Sequence, residues 1–186
     1  NYNTVVGDGS GAAITTGDSN VAVGYNAMDA LTTGSNNTAL GRGAAGALTT
    51  AGNNTAIGYT ALAAATTANE NVAVGYEALN SNTVSDRNVA IGNYALQAFA
   101  PTSNADTYNV AVGFYAGASV TTGTSNTLVG GLAGDALTTG PGNTMIGYGA
   151  GGAETTGANN VLIGQSGQAQ LTINDTVAVG DGALQT

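Results

Sequence analysis

The clearest copy of a repeated stretch is Asn71-Val72-Ala73-Val74-Gly75-Tyr76-Glu77-Ala78-Leu79, and eleven copies run along the chain. Eight of the ten steps between their glycines are 17 residues long, and the other two are 21 and 16. A fixed period of this length predicts a solenoid in which each repeat forms one coil. We therefore expect a single domain over residues 1–186. The pattern lacks distinct capping coils, so we expect a segment of a longer chain or ends covered by neighbours.

Each copy begins with a short predicted strand. If the Asn is position zero, position one is Val or Thr in every copy with an Asn, and position three is always Val, Ile or Leu, which favours strand. Side chains alternate along a strand, so positions one and three share a face, and we expect that face inside the coil. A turn, an Ala position and a third apolar position follow. The third position is held by Ile14, Leu31, Leu48, Phe99, Val120, Leu137 and Leu171.

Helix is the alternative for Ala-rich segments such as residues 61–65, but five residues are too few for a stable isolated helix. We therefore expect little or no helix. The Asn column predicts a ladder of side-chain amides that bond to the coils above and below. The 21-residue step predicts an outward loop insertion over residues 99–107, with the flanking strands still adjacent.

Position two is apolar in all eleven copies. With positions one and three inside, position two faces outward, and a strand that is apolar on both faces is buried on both. We therefore predict that other chains cover this column, and that its larger residues mark wider separation of the chains. The predicted oligomer interface consists of Ala22, Ala39, Ala56, Ala73, Ala90, Ala111, Leu128, Met145 and Leu162.

The motif Asn-x-Ala-[Val/Ile]-Gly resembles the head repeats of trimeric autotransporter adhesins of the YadA type. The copies at residues 20–24, 71–75 and 88–92 are close to it, and the copy at 54–62 also resembles repeats of bacteriophage tail-fibre proteins. The resemblance covers all eleven coils. It implies a left-handed, trimeric parallel β-roll displayed outside a cell or on a virion, where such heads bind host surfaces. The repeats here, at 17 residues, are longer than is typical of that family.

Composition narrows the function classes. The net charge is −9, with two Arg and no Lys, which disfavours nucleic acid and anionic lipid. No apolar run approaches the roughly 20 residues of a membrane span, so we expect no membrane insertion. The chain has no His and no Cys, which removes the commonest general base and two main metal ligands. We expect no enzyme activity, no catalytic residues, no metal and no cofactor.

Two ranks of side chains are candidate binding surfaces. One is aromatic: Tyr25, Tyr59, Tyr76 and Tyr148 each follow a repeat glycine and either stack on one another or bind glycans by stacking. The other contains one Thr of each closing pair and suggests a flat ice-binding or glycosylated rank, although ladder and turn roles explain the same Thr. Its members are Thr16, Thr33, Thr50, Thr67, Thr122, Thr139 and Thr156.

These observations favour a structural and adhesive extracellular fibre segment, either a phage tail fibre or a surface adhesin head. We expect a homo-oligomer, a trimer from the resemblance, with a host-surface glycan or protein as partner. The alternatives are an ice-binding β-solenoid and a subunit of an extracellular filament whose open ends stack.

Overall fold

The fold is a single parallel sheet wound into a solenoid. The computed structural model describes residues 2–165 and 173–183. Eleven strands of three residues, one per coil, follow one another in sequence order. They are β1 (Thr4–Val6), β2 (Val21–Val23), β3 (Thr38–Leu40), β4 (Thr55–Ile57), β5 (Val72–Val74), β6 (Val89–Ile91), β7 (Val110–Val112), β8 (Thr127–Val129), β9 (Thr144–Ile146), β10 (Val161–Ile163) and β11 (Val177–Val179). The all-β solenoid is confirmed, with about ten turns and no helix among the described residues.

The coils stack in register through backbone hydrogen bonds on every side. Val72 of β5 lies opposite Val89 of β6. Away from the sheet, consecutive turns replace a second strand, and the Thr32 N–H donates to the Thr49 carbonyl of the next coil at 2.8 Å. At about 4.8 Å per coil, the stack is roughly 50 Å long.

The insertion leaves the stack intact. Val89 of β6 pairs with Val110 of β7, so the prediction that these strands remain neighbours is confirmed. Residues 102–106 are exposed, whereas Phe99 is completely buried and Thr107 is 2% exposed. The protruding part is therefore narrower than the predicted 99–107, because Phe99 still occupies the third apolar position of its coil.

The predicted Asn ladder is present and lies inside the coil. The Asn37 backbone N–H and side-chain Nδ2 both donate to Oδ1 of Asn20, at 2.9 and 3.1 Å. Asn37 Nδ2 also donates at 2.9 Å to the Ala51 carbonyl, which lies 14 residues later, near the end of the same repeat. At the insertion one rung changes, because Thr107 Oγ1 donates to Asn88 Oδ1 at 2.8 Å. The ladder thus satisfies buried backbone groups at the corner where each coil turns into its strand.

The prediction of which strand face points into the coil is wrong. Position two points into the coil: the six Ala from Ala22 to Ala111, together with Leu128 and Met145, are completely buried within a single chain. Positions one and three point outward and are half-buried or exposed. The physical reason is that position two shares its face with the buried Asn at position zero, and the narrow coil has room for only that inward face.

The third apolar position is also internal, and its exceptions are satisfied. Asn82 and Glu154 replace the usual aliphatic residue and are completely buried. Asn82 Oδ1 accepts from the Ser85 N–H at 3.0 Å. Glu154 accepts from the N–H groups of Gly157 at 2.6 Å and Ile173 at 3.1 Å. Both side chains therefore stabilise the return turn from inside the core. Leu171 lies outside the described residues.

Large and small residues exchange places across the core. The residue six places after position two has a left-handed backbone conformation, and its side chain points inward. Leu62, Leu79 and Leu96 occupy this place, with φ between 50° and 53°, in coils whose position two is Ala. Farther along, this place becomes Gly117, Gly134 and Gly151, and position two of the coil that follows each of them becomes Leu128, Met145 and Leu162. A Cβ on Gly117 would lie 2.6 Å from Leu128 Cδ1. The larger position-two residues therefore fill space left by glycine; they do not mark separation between chains.

This exchange predicts that two damaging substitutions compensate each other. Leu128→Ala should cost about 2–5 kcal/mol through the cavity it leaves. Gly117→Leu should cost about 1–3 kcal/mol, because the new side chain overlaps Leu128. The double variant recreates the arrangement around Leu96, so its loss should be smaller than the sum by at least about 1 kcal/mol. Urea unfolding of the four proteins measures this coupling, and purely additive losses would contradict the exchange.

Candidate interaction surfaces

The residues predicted as an oligomer interface do not form a surface. Ala22, Ala39, Ala56, Ala73, Ala90, Ala111, Leu128 and Met145 are completely buried in the single chain, and Leu162 is 4% exposed. A partner chain cannot contact side chains enclosed by their own coil. The candidate interface therefore moves by one residue along the strand to positions one and three, which we call the sheet face.

The sheet face is uncharged and mainly aliphatic. Its 22 positions, two per strand in β1 to β11, contain only Val, Ile, Leu and Thr. Leu40 is 47% exposed, and Ile91, Ile146 and Ile163 are 37–39% exposed. At about 3.3 Å per residue and 4.8 Å per strand, the face covers roughly 500 Å². A patch of that size lies at the upper end of what a soluble monomer exposes.

A second surface borders the sheet face and consists of the side chains that follow the repeat glycines. We call it the aromatic rank. Tyr59 and Tyr76 stack with ring centroids 5.1 Å apart and planes 9° apart. Tyr94 packs against Tyr76 at 5.2 Å and against Tyr115 at 4.6 Å. Stacking between neighbouring coils stabilises their register at this corner.

Arg42 continues the rank toward the N-terminus. Its guanidinium carbon lies 5.7 Å from the Tyr25 ring centroid and 5.4 Å from that of Tyr59. Its Nη1 also donates to the Tyr59 hydroxyl at 3.2 Å. Hydrogen bonding to the adjacent Glu77 carboxylate raises the pKa of the Tyr76 phenol.

The structure separates the four tyrosines predicted to stack on glycans. Tyr59 and Tyr76 cover each other's faces, and the Arg42 guanidinium lies between Tyr25 and Tyr59. Tyr148 is the most exposed of the four at 59% and lies beyond Gly131. Because a sugar stacks on a ring face, Tyr148 offers the better platform. Phe114, on the other side of Gly131, also follows a repeat glycine and is 55% exposed.

The threonine pairs divide into two ranks with different roles. The first Thr of most pairs donates its hydroxyl to a carbonyl of the next coil, as from Thr15 to Thr32 at 3.0 Å and from Thr138 to Thr155 at 2.7 Å. The second Thr points outward. Of the predicted rank, Thr16, Thr33, Thr50, Thr122, Thr139 and Thr156 are exposed, and Thr67 is half-buried.

A polar cluster holds the insertion against the preceding coils. Arg87 Nε donates to Glu70 Oε2 at 2.8 Å, and its Nη1 donates to Asp106 Oδ2. The Tyr108 hydroxyl donates to the same Asp106 oxygen at 3.0 Å. The hydrogen bond to Glu70, and to a smaller extent that to Tyr108, raises the pKa of the Arg87 guanidinium above its ordinary value. These side chains are exposed, so the cluster contributes little to global stability and mainly positions the loop.

Chemical groups for catalysis are sparse on these surfaces. In residues 2–165 and 173–183, no three acidic, His or Cys side chains are grouped so as to hold a metal ion. Burial raises the pKa of the Asp135 carboxyl, and hydrogen bonds from the Tyr2 and Ser19 backbone lower that of Asp18. Neither carboxyl lies in a cluster of potential metal ligands.

The described part of the chain contains no helix with the length and apolar character that crossing a bilayer requires. No family model, no curated protein and no solved structure matches this chain.

Proposed function

We propose that this chain is a structural and adhesive segment of an extracellular fibre, in which copies of the chain associate through the sheet face. The observation that carries the proposal is the composition of that face. All 22 of its positions are uncharged, although the chain as a whole has a net charge of −9. Identical faces can therefore approach without like-charge repulsion.

Area and shape also support self-association. A face of roughly 500 Å² approaches the about 800 Å² that each partner contributes to a stable interface. The parallel strands repeat similar side chains at the same place in every coil. When two copies touch at one coil, their neighbouring coils are therefore also positioned to touch. The likeness to trimeric adhesin heads supports three copies around one axis, a left-handed winding, and display on a cell surface or virion.

A charged substitution on the sheet face tests this proposal. Ile91→Asp places a carboxylate in the centre of the proposed interface and should convert the wild-type oligomer into monomers. Circular dichroism should remain that of the wild type, because Ile91 is already 39% exposed in the single chain. Light scattering after size exclusion measures the mass.

The matched control is Thr50→Asp, which adds the same charge on the exposed threonine rank and should leave the mass unchanged. A wild-type protein that is monomeric at micromolar concentration would refute association through the sheet face. A mass of three chains would support the trimer, and an open-ended polymer would favour the filament alternative.

Ice binding is the second candidate, and the outward threonine rank favours it. Six of its seven residues are exposed, and they repeat at the spacing of the coils. The rank is interrupted at Val84 and at the insertion. Thermal hysteresis that disappears in Thr33→Lys/Thr139→Lys would support this function, and wild-type protein without hysteresis would exclude it.

A further inference from the structure

The aromatic rank has a notch at Gly131. The rings on either side, Phe114 and Tyr148, are 55% and 59% exposed, whereas the stacked Tyr59 and Tyr76 are each 39% exposed. Among the described residues no aromatic ring stacks on Tyr148, while Phe114 packs on Tyr115 with centroids 4.5 Å apart. Gly131 thus leaves a space where the other coils of the rank place a side chain.

The rank is interrupted a second time at Asn93, and that position shows what an occupied gap looks like. The ring of the next residue, Tyr94, lies between the neighbouring coils and contacts Tyr76 at 5.2 Å and Phe114 at 6.4 Å. The residue after Gly131 is Leu132, which has no ring to offer. The two interruptions therefore differ: the Tyr94 ring occupies the one at Asn93, whereas the Tyr148 ring leans into the one at Gly131 from one side.

The backbone spacing across Gly131 sets the width that is available to a ligand. Phe114 and Tyr148 are two coils apart, which is about 9.6 Å along the stack. A ring covered on both faces needs about 7–8 Å, since each contact between carbon atoms is about 3.5–4.0 Å. Tyr148 leans into the space, because its Cδ2 lies 3.4 Å from where a Cβ on Gly131 would be. This lean narrows the gap from the Tyr148 side.

We propose that the notch formed by Phe114, Gly131 and Tyr148 binds one neutral pyranose ring of a surface glycan. The apolar C–H faces of the sugar would pack on the two aromatic rings, and its hydroxyl rim would remain in water or bond to the Tyr148 hydroxyl. Both cations of the chain, Arg42 and Arg87, lie two or more coils away, so the site has no partner for an acidic sugar. This inference rests on the proposed adhesive function and assigns it a ligand class.

Filling the notch is the sharpest test. Gly131 has no left-handed φ, and a Cβ there would make only ordinary contact with Tyr148 at 3.4 Å, so Gly131→Tyr should fold normally and complete the rank. Wild-type protein in its native assembly should bind a panel of immobilised neutral hexose and N-acetylhexosamine oligosaccharides. Gly131→Tyr should reduce that binding at least tenfold, with a melting temperature equal to or above that of the wild type.

Two further variants make the result specific to the notch. Tyr148→Ala should reduce binding to the same extent, whereas Tyr25→Ala, at the far end of the rank, should leave it unchanged. Wild-type binding that survives Gly131→Tyr, or that falls equally in Tyr25→Ala, would overturn the proposal. Binding to aromatic peptides but not to the sugar panel would also overturn it. Because the assembled mass is measured separately, failure here is distinguishable from failure of the proposed fibre.

Discussion

Leu128→Asp is expected to unfold the solenoid rather than to dissociate an oligomer of folded chains. Leu128 is completely buried, and its Cδ atoms fill the space beside Gly117 and Gly134. The substitution removes about 2–5 kcal/mol of packing and introduces a carboxyl group without a partner into an apolar core. We expect a total loss above about 4 kcal/mol, which is a large part of the stability of an ordinary domain.

The adjacent residue supplies the control. Val129 points to the sheet face and is half-buried in the single chain. Val129→Asp should therefore keep its circular dichroism spectrum and most of its monomer stability, while losing any association through that face. Thermal unfolding and light scattering of the two variants separate these effects. If Leu128→Asp kept the wild-type melting temperature and lost only mass, the inward orientation of position two would be wrong.

Gly130→Ala is expected to disrupt the stacking of its coil on the next one. Gly130 has φ +135°, and an added Cβ would lie 2.3 Å from the Gly147 carbonyl oxygen and 2.6 Å from its carbon. Those atoms belong to the backbone of the next coil, so they cannot move aside without breaking the ladder. Backbone strain alone costs about 1–3 kcal/mol, and the overlap adds to it. The loss should appear as a lower urea midpoint and faster amide exchange around β8 and β9.

Gly131→Ala is the matched control, because it adds the same methyl group one residue later. Its Cβ would lie 3.4 Å from the Tyr148 ring and 4.0 Å from the Phe114 carbonyl oxygen, which are ordinary contacts. Removing a glycine at an unstrained position restricts the unfolded chain and should stabilise the protein by about 0.4–1 kcal/mol. Similar destabilisation by the two substitutions would show that close contact with the backbone of the next coil is not the reason for glycine at position 130.

Periodicity in the sequence was sufficient for the architecture. A spacing of 17 residues predicted parallel strands in register, and the Asn column predicted the amide ladder that Asn20 and Asn37 form. These features depend on identical neighbours stacked along one axis, so one repeat contains the information for all of them. The aromatic column was equally visible, but the stacking of Tyr59 on Tyr76 and the lean of Tyr148 depend on rotamers that the spacing does not specify.

Which side of the strand lies inside was decided only by the tertiary structure. Alternation defines two faces, but both faces of these strands are apolar, so hydropathy could not distinguish them. Two signals were present in the sequence. Position two lies two residues after the buried Asn, so both share one face of the strand. Leu128 appears at position two directly after Gly117 replaces the leucine that the preceding coil has at Leu96. These signals can be interpreted only once the structure shows that a left-handed residue points across the core and contacts position two of a neighbouring coil. Volume complementarity across that narrow core therefore placed Ala and Leu inside, and left the branched residues of positions one and three on the surface.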